Sequence, residues 1–196
     1  MLPGILLGLS FHEFAHGWAA DRLGDPTARR AGRLTMNPAA HIDVIGFLAL
    51  ILAGFGWAKP VPVNPFLLKG NRRTGIIAVS VAGPLANLLM ALAGAVVAGI
   101  GEGGPIILRM VAWLISINVM LAVFNLVPIP PLDGSQILAA LLPGPQRWLL
   151  WLQQYGMIVL IILLFTGIFE FIIRPPIVWI VTGLDQISIL VNTLVH

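Results

Sequence analysis

The 196-residue chain contains no cysteine, which excludes a disulfide framework and any thiolate metal site. Charge is also scarce: 11 Lys and Arg with 8 Asp and Glu make up 10% of the residues, against about 25% in a soluble domain. No basic run with interleaved aromatics occurs, so the net charge of +3 argues for membrane topology and against a nucleic-acid partner. There is no internal repeat and no low-complexity segment. What the chain does have is apolar surface, with 58% hydrophobic residues and a mean hydropathy of +0.96. Such a chain takes the lipid bilayer as its solvent. Once several spans of about 20 residues are drawn, no length remains for a second soluble domain. Residues 1–196 are therefore expected to form a single membrane domain.

The apolar segments suggest an all-α polytopic membrane protein, a bundle of about four to six transmembrane helices. Residues 1–21 form a first apolar stretch that runs into Asp21 and Arg22 and lacks the basic start of a cleavable signal peptide. Residues 75–100, 105–127 and 147–173 each suffice to cross a bilayer, and 176–195 is a weaker, more amphipathic candidate. Residues 42–56, "IDVIGFLALILAGFG", are apolar but too short for an ordinary span. Treating them as re-entrant puts Arg22, Arg29, Arg30, Arg33, Lys59, Lys69, Arg72, Arg73 and Arg147 on one side, leaving Arg109 and Arg174 on the other. Non-helical backbone at membrane depth must be buried in protein or line a wet cavity, so "WAKPVPVNP" is expected beside such a cavity.

Within the first apolar stretch lies "GLSFHEFAHGW". His12 and His16 are four residues apart and project from one helix face. Two imidazoles so placed can hold one Zn²⁺, with Glu13 between them placed to take a proton from water at the metal. The other reading is a polar patch that bonds neighbouring helices. Against it, a charged group at mid-bilayer costs roughly 2.5–3.5 kcal/mol or more, which marks such groups as functional.

A catalytic zinc site has three protein ligands and an open position. The remaining candidates are His41, Asp43, Glu102, Asp133, Glu170, Asp185 and His196. Asp133 is best placed, because Pro128, Pro130 and Pro131 break the helix before it and let a carboxylate turn into a buried cavity. It could equally cap a helix starting near Ser135. Spacing alone leaves the two readings open.

"HEFAHGWAADRLGDPTARRAGRLTMNP", "GWAKPVPVNP", "VAGPLANLL" and "FNLVPIPPLDGSQIL", in that order, resemble the site-2 protease family of intramembrane zinc metalloproteases. The likeness is closest to its compact prokaryotic branch without an inserted PDZ or CBS domain, and it covers residues 5–145. It implies one Zn²⁺ per chain held by His12, His16 and Asp133, Glu13 as catalytic base, and Asn125 steadying the oxyanion or the substrate backbone. It also implies cleavage within or near the transmembrane helix of another membrane protein, in regulated intramembrane proteolysis at the cytoplasmic face of a prokaryotic cytoplasmic membrane. Many relatives carry a further span before the zinc motif. Here Met1 to His12 offers only about 16 Å of helix, half the hydrocarbon thickness. A helical substrate hides its backbone, so spans carrying Gly, Pro or Asn are favoured.

Other residues carry weaker readings. Gly83 and Ala82 in "AGPLAN" allow close helix approach and Pro84 bends the span, while Asn87 is a candidate substrate contact or a packing residue. Pro60 and Pro62 lack the N–H on one edge of "WAKPVPVNP", so Val61 and Val63 keep donors on the other edge. That live edge could pair with unwound substrate, or the segment could be a purely structural hairpin. His41 and Asp43 are candidate supports for the site, and Glu102 and Asp185 read as solvated. Two rival classes are a membrane metal transporter, which would show paired half-sites, and a silent adaptor, which would have lost one of the four key residues.

Overall fold

The computed structural model describes residues 2–53, 56–101, 104–143 and 147–196; Glu102 and part of the 42–56 segment lie outside them. Among these residues the chain is helical, with helices α1 (Leu2–Arg22), α2 (Thr27–Arg30), α3 (Val44–Ala53), α4 (Arg72–Ile100), α5 (Pro105–Asn125), α6 (Asp133–Leu141), α7 (Arg147–Phe165) and α8 (Ile168–Val195). Helices α4, α5 and α8 are long and apolar enough to cross a membrane; α7 carries the shorter apolar stretch Leu150–Thr166. Large apolar side chains also face outward: Leu52 on α3 and Phe171 and Trp179 on α8 are 84%, 81% and 79% exposed, surface that only lipid covers at no cost. The chain is an all-α polytopic membrane protein.

Local chemistry sets the helix ends. Asn71 caps α4, its side chain accepting from Arg73 N at 2.9 Å, and Gly101 ends that helix with a left-handed φ of 71°. Pro105 opens α5 in the first turn, where its missing N–H costs nothing. Between α4, α5 and α8 the core is built of Ala91, Ala95, Ile115, Val119, Val123 and Leu184. Small residues there let the backbones close in, the usual basis of helix packing in lipid.

Helices α1 and α5 run the same way, because Gly4 lies against Leu114 and Gly8 against Asn118 and Leu121. Helix α4 runs against them. The two basic loops meet at one end: Lys69 N donates to Leu23 O at 2.8 Å, and Asn64 N donates to the buried Asp25 carboxylate at 2.6 Å. Helix α3 has ten residues, about 15 Å, half the hydrocarbon core. Its flanks come back together, with Ile42 and Ala58 forming an antiparallel bridge and Lys59 N donating to His41 O at 2.8 Å.

Two expectations need correction. The short strand or hairpin near the site reduces to that isolated Ile42–Ala58 bridge; no longer ladder exists among the described residues. The boundary expected between the 147–173 and 176–195 segments falls instead at Thr166–Gly167, where Gly167 takes φ 74°, so the 147–173 segment is divided between α7 and α8. Pro175 and Pro176 lie inside α8. Phe169 packs beside Phe124 and Leu132, while Asn192 Nδ2 donates to Gly99 O at 3.1 Å. Helix α8 therefore runs parallel to α4, and Arg174 sits in the half nearer the basic loops rather than at the opposite end.

Candidate metal centre

His12 and His16 project from the middle of α1 and are 4% and 8% exposed. Each ring is fixed through its Nδ1. His12 Nδ1 lies 2.6 Å from Asn87 Oδ1 on α4, and His16 Nδ1 lies 2.7 Å from the Val79 carbonyl oxygen. Oxygen acceptors at both Nδ1 atoms place the ring protons there, so both Nε2 atoms present lone pairs.

The third member arrives from α6. Gly134 lies so close to the last carbonyls of the α5 end that an added Cβ would collide with Leu126 O and Val127 O. Glycine thus lets α6 fold back under α5, carrying Asp133 with it. Asp133 is the first residue of α6, after the N-cap Leu132, and among the described residues its carboxylate contacts His12 and His16 and makes no hydrogen bond to its own helix. Its Oδ2 lies 3.1 Å from His12 Nε2 and 3.2 Å from His16 Nε2, and the two Nε2 atoms are 3.0 Å apart. The helix-cap alternative for Asp133 has no contact to support it.

Three electron-pair donors face one another here with no donor hydrogen between them, and Asp133 Oδ2 is buried without a hydrogen-bond partner. A cation bound among them would satisfy all three. Zinc–ligand distances of about 2.0–2.1 Å put the corners of a tetrahedron roughly 3.3–3.4 Å apart, close to the observed spacing. Two imidazoles and a carboxylate also form a donor set suited to zinc. His12, His16 and Asp133 could together hold the metal.

A cavity of about 530 Å³ opens on this cluster. Glu13 lines it, and its Oε2 accepts a hydrogen bond from Val61 N at 2.8 Å. Asn125 lines it from the end of α5, with Nδ2 donating to Leu121 O at 2.9 Å. Val61 and Val63 form part of the wall, as expected for "WAKPVPVNP". Most of the remaining wall is apolar, including Leu68, Ile76, Leu132, Met157 and Leu160, with Ser80 and Gln136 as polar members.

Several sequence-derived residues stand elsewhere. Asn87 is fully buried and does not line the cavity, so it holds His12 rather than touching substrate. The Val61 N–H, expected to face substrate, is taken by Glu13. His41 Nε2 contacts Thr35 O at 2.8 Å and Asp43 caps α3 through Gly46 N at 2.8 Å, both away from the cluster. Glu170, Asp185 and His196 also stay outside it, exposed on α8 or at its end. Two buried residues were not anticipated. Asn118 is an uncharged polar group in an apolar span, a signal that could have marked it. Asp25, in "GDPT", accepts from Thr27 N and Asn64 N and ties the two loops together.

The profile of peptidase family M50 matches residues 102–165, a stretch containing Asn125 and Asp133. The chain is 36% identical over 181 residues to YwhC of Bacillus subtilis, a protein named provisionally as a zinc metalloprotease, covering 87% of this chain and 82% of YwhC. Rip2 of Mycolicibacterium smegmatis, named in the same way, is 33% identical over 85% of this chain and 66% of its own length. MJ0611 of Methanocaldococcus jannaschii, again so named, is 29% identical over 67% of this chain. No solved structure matches the chain. The likeness to YwhC along most of both chains carries the assignment: this chain belongs to peptidase family M50, the site-2 proteases, and is a zinc metalloprotease of the membrane.

Proposed function

We propose that the protein cleaves a peptide bond within or near the transmembrane helix of another membrane protein, with zinc held by His12, His16 and Asp133. The observation that carries this reading is the three-donor cluster at 3.0–3.2 Å, beside Glu13 and open to an apolar cavity. Bound there, zinc would acidify a water and polarise the scissile carbonyl. Glu13 does the proton work. With Oε2 engaged by Val61, Oε1 is the oxygen free to take the water proton and later return it to the leaving nitrogen. Asn125 spends one Nδ2 proton on Leu121 O and has a second to offer the developing oxyanion.

Substrate must reach this cavity as unwound backbone, since a helix hides its carbonyls. Val63 N–H has no hydrogen-bond partner among the described residues, and we assign it, with the neighbouring carbonyls, to pairing with that backbone. The two basic loops at one end of the bundle favour the cytoplasmic face of a prokaryotic cytoplasmic membrane for that end. Cleavage there would release a membrane-tethered domain, the logic of regulated intramembrane proteolysis.

The test is Glu13→Gln expressed in place of the native chain. It should retain one zinc per chain, lose proteolysis, and cause uncleaved membrane proteins to accumulate in a quantitative comparison of membrane proteomes. Loss of zinc from this variant, or cleavage at the native rate, would overturn the reading.

A further inference from the structure

Two side-chain amides connect the middle of the bundle to His12. Asn118 is fully buried on α5, and its Nδ2 donates to the Leu114 carbonyl of its own helix at 2.9 Å. That contact turns Asn118 Oδ1 toward Asn87, whose Nδ2 donates to it at 2.8 Å. The same Asn87 Nδ2 donates to Gly8 O at 2.9 Å. Gly8 lies one helical turn before His12 on α1, so Asn87 grips both the backbone and the ring of that turn.

Both Nδ2 protons of Asn87 are thus spent on oxygens that carry no proton. Its Oδ1 has only one way to face, toward His12 Nδ1 at 2.6 Å. Reversing the amide would set Oδ1 against two oxygens and Nδ2 against an N–H, in a site without water access. Burial makes each such mismatch costly, because no solvent can repair it. The contrast with His16 is instructive. Its Nδ1 is held by a backbone carbonyl, Val79 O, which no side chain can reverse. Only the His12 arm depends on the orientation of amides.

We propose that Asn118, acting through Asn87, is a positioning residue of the metal centre. It fixes which way the Asn87 amide faces and thereby which nitrogen of His12 is offered to zinc. Asn118 touches neither the cluster nor the cavity, so its influence passes wholly through one amide. Deep polar side chains of this kind commonly decide the tautomer and ring orientation of a metal-binding histidine. The inference rests on the reading of His12 as a zinc ligand.

The experiment uses the full chain in detergent, with Asn118→Leu and Asn118→Ser made separately so that a folding failure in one leaves the other. Zinc affinity is read by competition with a chromophoric chelator. The Nδ1–H of His12 in the zinc-loaded protein is followed by its exchange with water in ¹⁵N-histidine spectra. Both variants should bind zinc about tenfold or more weakly, and the His12 Nδ1–H, protected in the native chain, should exchange rapidly. The His16 Nδ1–H should stay protected. Native zinc affinity and native protection of His12 in a folded variant would overturn the proposal, as would equal loss of protection at both histidines, which signals general loosening. If His12→Ala itself binds zinc with native affinity, it is the ligand assignment that fails.

Discussion

Glu13 Oε2 accepts a hydrogen bond from the backbone N–H of Val61 at 2.8 Å, which ties the proposed base to the loop forming the cavity wall. A backbone donor on a carboxylate fixes its position and leaves the second oxygen free. Val61 stands between Pro60 and Pro62, which cannot donate, and Arg33 holds the carbonyl of Lys59 at 2.8 Å on the approach. The segment is therefore a fixed wall with one donor aimed at the base.

Val61→Pro removes that donor with little change in bulk. A hydrogen bond to a charged group is worth about 1.5–3 kcal/mol, so turnover should fall roughly 10–100-fold while zinc content stays at one per chain. The loss should be the same for a transmembrane-helix substrate and for an unstructured peptide with the same scissile bond, because the defect lies in Glu13. A loss confined to the helical substrate would return the Val61 N–H to substrate pairing.

Asp133 and Asn125 stand at either end of the proline-broken turn but should fail differently. Asp133→Ala removes an anionic donor from the cluster and should lower both zinc content and activity. Asn125→Ala should keep zinc bound and reduce turnover by roughly 10²-fold, the usual cost of losing an oxyanion donor. Metal analysis beside kinetics on the purified variants separates them. Full zinc content and activity in Asp133→Ala would exclude it as a ligand.

Gly83 packs directly on the centre. An added Cβ would collide with His16 Nε2 and would lie 2.7 Å from His12 Cε1, so Gly83→Ala should displace both rings and abolish zinc binding. Gly183→Ala is the matching control, since nothing lies within 4 Å of the Cβ it would add on α8. Equal zinc affinity in the two variants would show that α4 can withdraw from α1 without harm to the cluster.

The legible part of this site was the part with a local period. His12, Glu13 and His16 declare themselves because i and i+4 share a helix face. Asp133 needed the family resemblance, since only the close approach of Gly134 to Leu126 O and Val127 O brings it within reach, and spacing does not encode that fold-back. Asn118 and Asn87 were not legible as a pair, because they are 31 residues apart and meet only through the antiparallel packing of α4 and α5. The boundary drawn between residues 173 and 176 was misplaced, and it falls where Pro175 and Pro176 lie inside α8. Their missing donors leave the Phe171 and Ile172 carbonyls unmatched, yet Phe169, Ile173, Ile177, Ile180 and Leu184 keep one apolar stripe against the core. That stripe outweighs the local penalty, so the helix continues.

The last prediction is topological and uses the absence of native cysteine. The Lys69–Leu23 and Asn64–Asp25 contacts hold both basic loops at one end of the bundle. At the other end, Asn192 reaches Gly99 O at 3.1 Å, which fixes the direction of α8. Arg30→Cys and Arg72→Cys should therefore react with a membrane-impermeant thiol reagent from the same face, the cytoplasmic one. Leu194→Cys, 77% exposed near the end of α8, should react only from the opposite face. Labelling of positions 30 and 72 from opposite faces would mean that residues 42–56 cross the membrane, against the pairing of Ile42 with Ala58. Labelling of position 194 from the same face as position 72 would mean that α8 does not span, and its packing against α4 would then need another account.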